Sequence, residues 1–278
     1  MSRLVVTGYA SLDFAVGLDG QAVGDKTTLI AARDPEAWPR AGGCPTYISG
    51  AAVRAGQQAT PVMWVGKGAE GEGFVARLDA QGIDTEGIGV VDSLRSPTAL
   101  LVYQSDGSCM CLYDPALGRA ETLNQAQMDL IASATHLCVA VGPHHLMDEI
   151  VALCPADARL YWAVKNDPDA FPPELRAKLA ARADVIFHSA SERSLIGKTA
   201  AVLVETRGSD RVVVTAAGQA KELLVLPIDI ADTTGAGDSF AGGYIAAEMS
   251  GADPVEAAGA GIKAAAALLA DRKGRRLS

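Results

Sequence analysis

The sequence predicts an α/β fold in which a central, mostly parallel sheet carries helices on both of its faces. The first observation is a regular alternation of helix and strand patterns from Asn124 onward, because strands that alternate with helices pair in parallel through right-handed crossovers. The second is that apolar runs at residues 4–7 and 62–65 are each followed by glycine, which is typical of buried strands that lead into loops. The third is that residues 14–33 and 97–114 interrupt the alternation and favour short antiparallel strands.

Each element is predicted from the hydrophobic period and from the positions of glycine, proline and turn dipeptides. Asp106-Gly107 lies at the centre of a hairpin in the second interruption. The predicted helices cover residues 42–56, 74–81, 125–133, 144–153, 173–182, 199–207, 235–249 and 254–270. The predicted strands outside the interruptions cover residues 4–7, 62–65, 137–141, 159–164, 184–187, 211–215 and 223–230.

Composition and charge limit the classes of function. The chain has 278 residues, of which 49% are hydrophobic and 21% charged, as in a globular protein with a sizeable core. Its net charge of -9 argues against nucleic acid as a partner, because phosphate backbones are bound by clustered Lys and Arg. No apolar run is long enough for a signal peptide or a membrane span, so we expect a cytoplasmic protein. Among the five scattered cysteines, only Cys109 and Cys111 are close, and a lone CxC is a weak indication of a metal site, so reduced thiols are expected.

The segment Asp232-Thr233-Thr234-Gly235-Ala236-Gly237-Asp238-Ser239-Phe240 carries the chemistry. It leads from an apolar strand into a helix, so Gly235, Ala236 and Gly237 lie at a helix N-terminus, where N–H groups and the helix dipole bind anions. Asp238 would repel a phosphate, but it is well placed to take a proton from a hydroxyl that attacks one. These features indicate phosphoryl transfer to an alcohol, with Asp238 as general base and residues 235–237 as the anion hole.

This nine-residue segment resembles the C-terminal signature of the ribokinase-like (PfkB) carbohydrate and nucleoside kinases. Gly42-Gly43 followed by a helix of small residues resembles the first signature of the same family. The resemblance implies one ribokinase-like α/β domain over residues 1–278, which transfers the γ-phosphoryl group of ATP to a primary hydroxyl of a small sugar or nucleoside. It also implies Mg²⁺, held largely by phosphate oxygens and water, and a monovalent cation such as K⁺ near Asp232.

The two interruptions have an expected role in such a kinase. The resemblance implies that residues 14–33 and 97–114 combine into a small β-sheet lid over the substrate. Lid closure would exclude water, which matters because a kinase that admits water hydrolyses ATP. An exposed edge of the lid would also favour a homodimer.

The resemblance places the acceptor near the first strand and the first glycine pair. Asp13, in the loop expected after the first strand, would bind substrate hydroxyls, with a turn or cap carboxylate as the alternative. Gly42 and Gly43 would let the backbone approach a sugar ring. Tyr47 stands where the family usually has Asn, so it offers a hydroxyl and an aromatic face instead of an amide.

The same resemblance assigns residues to the nucleotide. Glu192 matches the acid of an Asn-x-x-Glu pattern that organises magnesium and phosphate, with Ser189 in place of Asn, and a helix-capping acid is an equal alternative. The turn after the strand at 211–215 is expected beside the phosphates. There Thr215 matches the family's Thr-x-Gly turn, Ala217 replaces its glycine, and Gly218 follows.

The end of the chain is expected to complete the nucleotide side. The Ala-rich last helix would pack close to the adenine, where Lys263 is a candidate contact. The basic residues Arg272, Lys273, Arg275 and Arg276 are expected to form a solvated tail.

Two other functions fit part of the sequence. Gly66-Lys67-Gly68-Ala69-Glu70-Gly71, with Asp92 further on, matches the GxGxxG string of dinucleotide-binding dehydrogenases. That string does not follow the first strand, however, and no second nucleotide-binding half is evident in the sequence. The departures at Tyr47, Ser189 and Ala217 also leave open a ribokinase-like binding or regulatory protein without kinase activity.

Overall fold

The computed structural model describes residues 2–33, 38–228, 230 and 232–275. The strands in chain order are β1 (Leu4–Thr7), β2 (Ser11–Leu18), β3 (Ile30–Arg33), β4 (Arg40–Gly42), β5 (Ala59–Gly66), β6 (Ile88–Val91), β7 (Thr98–Tyr103), β8 (Cys109–Asp114), β9 (His136–Val139), β10 (Arg159–Ala163), β11 (Val185–Ser189), β12 (Val202–Arg207), β13 (Arg211–Ala216) and β14 (Gln219–Leu224). They form two sheets.

The main sheet has nine strands in the order β14-β13-β12-β11-β10-β9-β1-β5-β6. Every pair from β12 to β6 in this order is parallel, and β13 and β14 extend the sheet as antiparallel strands. In chain order, the main sheet first gains β5 and β6 on one side of β1 and then β9 to β14 on the other side. In such sheets, ligands bind beyond the carboxyl ends of the strands near this reversal.

Helices cover both faces of this sheet. They are α1 (Cys44–Arg54), α2 (Ala69–Asp79), α3 (Gln125–Ala132), α4 (His144–Leu153), α5 (Pro173–Arg182), α6 (Ala236–Met249) and α7 (Pro254–Arg275), with a 3-10 helix at Ala190–Leu195. Because successive strand residues point to opposite faces, Val5 and Leu160 pack with α3, α4 and α5, whereas Val6 and Tyr161 pack with α1, α6 and α7. None of the helices in the described ranges is long and apolar enough to cross a membrane.

The residues of the predicted lid form the second sheet. Its strands follow the order β3-β2-β7-β8, and β4 pairs with the start of β2. The sheet is therefore larger than the sequence predicted, because it begins at Ser11 and includes Arg40–Gly42.

Two predicted elements are wrong. The segment 199–207, predicted as a helix, contains strand β12, which pairs with β11 and β13. Its β-branched Val202 and Val204 fit this paired, half-buried position, which overrides the local helix preference. The strand predicted at 223–230 instead runs from Gln219 to Leu224, because a tight turn at Gly218, with φ of 77°, sends the chain back along β13 immediately. Asp229 in the predicted strand lies outside the described residues.

Candidate active site

Asp238 lies in the first turn of α6, and the residues before it shape its surroundings. Gly235 caps the helix in the left-handed conformation, with φ of 72°, and a Cβ atom there would collide with the ring of Tyr47. The N–H of Ala236 donates to a preceding carbonyl at 3.1 Å. The N–H groups of Gly237 and Asp238 have no acceptor within the described part of the chain. The helix therefore offers free N–H groups and its dipole beside the Asp238 carboxylate.

Two side chains from other elements contact Asp238, which is 9% exposed. Cys44 of α1 lies beneath it, and burial, followed by the charge of Asp238, raises the pKa of the Cys44 thiol well above its ordinary value. Lys165, two residues beyond β10, places its Nζ 4.0 Å from Asp238 Oδ1. The charge of Asp238 raises the pKa of Lys165, so this lysine is a cation.

A cavity of about 430 Å³ opens beside the N-terminus of α6. Ala236 and Gly237 form part of its wall, and the rest is mostly apolar. The apolar wall includes Val225, Ile228, Phe240, Ile262, Ala265 and Leu269. The volume and apolar lining fit a base with its sugar, and the helix N-terminus fits the phosphates that follow.

The residues that the sequence assigned to the nucleotide lie outside the described lining of this cavity. Thr215 pairs within the sheet near the end of β13, and Gly218 forms the turn to β14. Lys263 is exposed on α7. Glu192 accepts hydrogen bonds at 2.8 Å from both the N–H and the hydroxyl of Ser189, which is a helix-capping arrangement. The roles of these residues toward a nucleotide stay predictions.

Asp13 is buried on β2 rather than in the predicted loop, because Ser11–Asp13 pairs with β4. Ser11 Oγ donates to Asp13 Oδ1 at 2.6 Å, and Tyr47 Oη donates to Oδ2 at 3.1 Å. A Cβ atom on Gly42 would occupy the space of this carboxylate, so this position requires glycine. Burial raises the pKa of Asp13, and the hydrogen bond from Ser11 and the charge of Arg40 oppose that rise.

Asp232 is held by two arginines. Arg40 Nη1 donates to Asp232 Oδ2 at 2.5 Å. Arg272 Nη1 donates to Asp232 Oδ1 at 3.4 Å and to the carbonyl of Thr234 at 2.5 Å. Burial raises the pKa of Asp232, but the hydrogen bond from Arg40 and the charge of Arg272 outweigh it and hold that pKa well below its usual range. Asp232 is therefore a strongly stabilised carboxylate.

The two carboxylates belong to one cluster. Arg40 Nε lies 3.9 Å from Asp13 Oδ2, and Arg272 Nη2 donates to Tyr47 Oη at 3.4 Å. We call Asp13, Arg40, Tyr47, Asp232 and Arg272 the inner network. Two guanidinium groups balance its two carboxylates. Because both oxygens of Asp232 already have guanidinium donors, the residues present do not fit K⁺ bound by this carboxylate.

The second sheet lies over the same region. The hydroxyls of Tyr103 on β7 and Thr234 form a hydrogen bond of 2.5 Å. Cys111 is on the face of β8 shared with its partner strand's inward residues. Burial and then the charge of Asp13 raise the pKa of Cys111, whereas Lys165 lowers it. The hydrogen bond of Tyr103 to Thr234 joins this sheet to the turn before α6.

Three residues of this site were not predicted from the sequence. Lys165 had a usable signal, since it directly follows the strand predicted at 159–164, at the carboxyl end where ligands bind. Arg40 had no usable signal in the sequence, because its partners come from distant parts of the chain. The prediction that Arg272 belongs to a solvated tail is wrong, since its side chain is 9% exposed inside the inner network. Arg276 lies outside the described residues.

Comparison with known proteins decides the family. The sequence profile described as pfkB family carbohydrate kinase matches residues 1–277. The chain belongs to the pfkB family. This membership removes the dehydrogenase alternative, and Lys67 and Asp92 of that alternative form an exposed surface ion pair.

Relatives of this pfkB family member cover nearly its whole length. An ATP-dependent ribose-1-phosphate kinase from Halopiger xanaduensis is 25% identical over 297 residues, which cover 99% of this chain and 94% of that protein. A ribokinase from Cryptococcus neoformans var. grubii serotype A, solved in complex with ADP, has a TM-score of 0.79 at 20% identity and covers 95% of this chain and 93% of that chain. A nucleoside kinase from Burkholderia thailandensis, solved with inosine, has a TM-score of 0.76 at 18% identity, with coverage of 96% and 89%. These structures confirm the predicted ribokinase-like fold.

Proposed function

We propose that this pfkB family member is an ATP-dependent kinase that transfers the γ-phosphoryl group to a primary hydroxyl of a small sugar or nucleoside. The observation that carries the proposal is the position of Asp238. Asp238 lies in the first turn of α6, where the N–H groups of Gly237 and Asp238 have no acceptor among the described residues, and its neighbour Gly237 lines the 430 Å³ cavity. A base, an anion-binding helix end and room for a nucleotide therefore meet at one place.

The apolar cavity and the helix N-terminus together define the orientation in which a nucleotide would bind. Its base and ribose would occupy the apolar cavity between α6 and α7, and its phosphates would extend toward the N–H of Gly237. The related ribokinase was solved in complex with ADP, which supports nucleotide binding as a function to test in this fold. Glu192 already accepts two hydrogen bonds from Ser189. The described residues include no cluster of three His, Cys, Asp or Glu side chains that could hold a metal. Mg²⁺ would therefore be held largely by phosphate oxygens and water.

Asp238 supplies the acid–base chemistry. It takes the proton of the acceptor hydroxyl while that oxygen attacks the γ-phosphorus, and the N–H groups at the start of α6 stabilise charge on the transferred group. The acceptor would lie under the second sheet, with Gly42 and Gly43 close to it. Asp13, already bonded to Tyr47, would present its remaining acceptor capacity to substrate hydroxyls.

The relatives narrow the acceptors worth testing first. One is an ATP-dependent ribose-1-phosphate kinase and another is a nucleoside kinase solved in complex with inosine, and both ribose-1-phosphate and inosine contain ribose. We therefore propose a ribosyl compound as the acceptor, with hexoses as the comparison class.

ADP release tests the function directly. Wild-type protein with ATP and Mg²⁺ is offered ribose, ribose-1-phosphate, inosine, adenosine, glucose and fructose. We expect turnover with at least one ribosyl acceptor and a loss of about 10²–10⁴-fold in kcat for Asp238→Asn, because general-base catalysis contributes about that much. The thermal shift caused by ATP should survive in this variant. Asp148→Asn, on an exposed residue paired with Lys178, is the control.

Two results would count against the proposal. Near-normal turnover in Asp238→Asn would show that Asp238 is not the base. Tight binding of a panel compound without ADP release by the wild type would favour the binding or regulatory protein that the sequence left open.

The second sheet supports a further proposal, a homodimer through the lid. Its outer face exposes Leu100 (37%), Met110 (40%) and Leu112 (53%), and its edge strands β3 and β8 have free edges within the described chain. A second copy would cover the same apolar face on each subunit. Analytical ultracentrifugation should show a dimer that Leu112→Lys dissociates. A wild type that is monomeric at high micromolar concentration contradicts this proposal.

A further inference from the structure

Lys165 is positioned by the central part of the main sheet. Strand β10 lies between β9 and β11 and ends at Ala163. The N–H of Val164 then donates to the carbonyl of Phe187 at 2.9 Å, which anchors the backbone up to the residue before the lysine. Lys165 therefore lies in the loop at the carboxyl end of a central strand, directly after a residue that is hydrogen-bonded to the neighbouring strand.

The pair between Lys165 and Asp238 leaves hydrogen-bonding capacity unused. The separation of 4.0 Å exceeds the range of about 2.7–3.2 Å for a hydrogen bond. Lys165 Nζ makes no hydrogen bond to any residue that the structure describes, and its side chain is 43% exposed. By contrast, Lys178 donates to Asp148 at 2.7 Å on the surface. The ammonium group of Lys165 thus has donors available for a ligand that reaches Asp238.

Charge explains why a cation is useful here. Asp238 and Glu192 both bear negative charge near Lys165, and a triphosphate brought to the start of α6 would add more. Phosphoryl transfer depends on cations and dipoles that neutralise charge on the transferred group. The N–H groups of α6 supply partial charges, whereas Lys165 supplies a full one, 4.0 Å from the Asp238 carboxylate.

We propose that Lys165 binds the phosphoryl group during its transfer and offsets the negative charge of Asp238 beside it. This role rests on the kinase function proposed above. In the transfer, the acceptor proton passes to Asp238, the acceptor oxygen bonds to the γ-phosphorus, and the bond to the bridging oxygen breaks with its electron pair leaving on ADP. Lys165 keeps its proton throughout and donates hydrogen bonds to oxygens of the transferred group.

The test compares Lys165→Met and Lys165→Arg with the control Lys178→Met. Lys165→Met should lower kcat by about 10²–10³-fold, as the loss of one anion-hole donor does, and leave the KM for the acceptor nearly unchanged. It should also weaken ATP binding by about 10–100-fold relative to ADP binding, the amount expected for a lost hydrogen bond to a charged group. Lys165→Arg should recover part of both losses, and Lys178→Met should lose neither.

Binding measurements separate this role from a structural one. Lys165 is the cation among the groups that interact with Asp238. A lysine that contacts the transferred group should change the ratio of ATP affinity to ADP affinity when it is removed, whereas a purely structural lysine would lower the melting temperature and leave that ratio unchanged.

Calorimetry measures the binding of ATP and ADP without turnover, so it tests the role of Lys165 separately from the proposed kinase function. A wild type that binds ATP but phosphorylates no acceptor would overturn the kinase function, whereas loss of the preference for ATP in Lys165→Met would still support the phosphoryl contact. Equal ATP-to-ADP affinity ratios in wild type and Lys165→Met would overturn the role of Lys165. A wild type that binds no ATP would overturn both proposals.

Discussion

The two carboxylates of the nine-residue segment have opposite surroundings, although they lie close together in the sequence. Asp232 accepts hydrogen bonds from Arg40, Arg272 and the N–H of Thr234. Asp238 has a lysine at 4.0 Å, its neighbour Gly237 lines a cavity, and the N–H groups of Gly237 and Asp238 have no acceptor among the described residues. One carboxylate is bound by two guanidinium groups, and the other lies near a single lysine at the start of α6.

This difference separates a structural carboxylate from a chemical one. A carboxylate whose pKa is held well below its usual range is a weak base, because its ionised form is already stabilised. Asp232 therefore fits the task of fixing the turn before α6, and Asp238 fits proton transfer. The inner network should control stability, while the region around Asp238 should control turnover.

The largest effect on stability should come from breaking the inner network at Arg40. Arg40→Met leaves two largely buried carboxylates with less compensating charge, and removing one partner of a buried ion pair costs about 3–5 kcal/mol. Urea unfolding at pH 7 measures the loss. Asp238→Asn serves as the comparison and should change the free energy of unfolding far less. Equal losses in the two variants would remove the distinction between the two regions.

A smaller loss is expected at the turn that joins the regions. Gly235→Ala forces a side chain into the left-handed conformation, at about 1–2 kcal/mol, and against the ring of Tyr47, at about 1–3 kcal/mol more. Gly251→Ala is the matched control, because Gly251 has φ of 93° with open space around it. The control variant should lose only the free energy of unfolding that the left-handed backbone conformation costs. Similar melting temperatures for the two variants would show that the contact with Tyr47 does not constrain the turn.

Acidification should reveal the stabilised carboxylate of Asp232. Its pKa is lower in the folded protein than in the unfolded chain, so its contribution is complete above the unfolded value of about 3.9 and is lost as the pH falls below it. The stability difference between wild type and Asp232→Asn should shrink by about 1 kcal/mol between pH 5 and pH 3. Chemical denaturation at both pH values checks this. A constant difference would mean that the arginines do not hold the pKa down.

The smallest effect should be that of K⁺ on turnover. Two guanidinium groups already donate to Asp232, so replacing K⁺ with a bulky organic cation at constant ionic strength should change kcat by less than about 2-fold, well under the 1.4 kcal/mol of a tenfold effect. Steady-state rates in the two buffers provide the measurement. A strong K⁺ requirement would show that a cation binds elsewhere near this turn.

Local signals accounted for much of the fold. Helices α4 and α5 have the predicted bounds, because their apolar period and the prolines at their starts are readable along the chain. Strand β12 was missed, since its state depends on pairing with β11 and β13, which local propensity does not encode. The segment around Asp13 was expected in a loop because it pairs with β4, which is distant in the sequence, and local patterns do not encode that pairing.

The sequence by itself determined the centre of the site, because the glycine turn, the helix start and Asp238 are contiguous, and local backbone geometry fixes their relation. Only the tertiary structure decided which charges meet there. Arg40, Lys165 and Arg272 lie on or directly after β4, β10 and α7, and their convergence depends on how these distant elements pack. Coulomb interactions and hydrogen bonds from these arginines then determine that Asp232 is the strongly stabilised carboxylate.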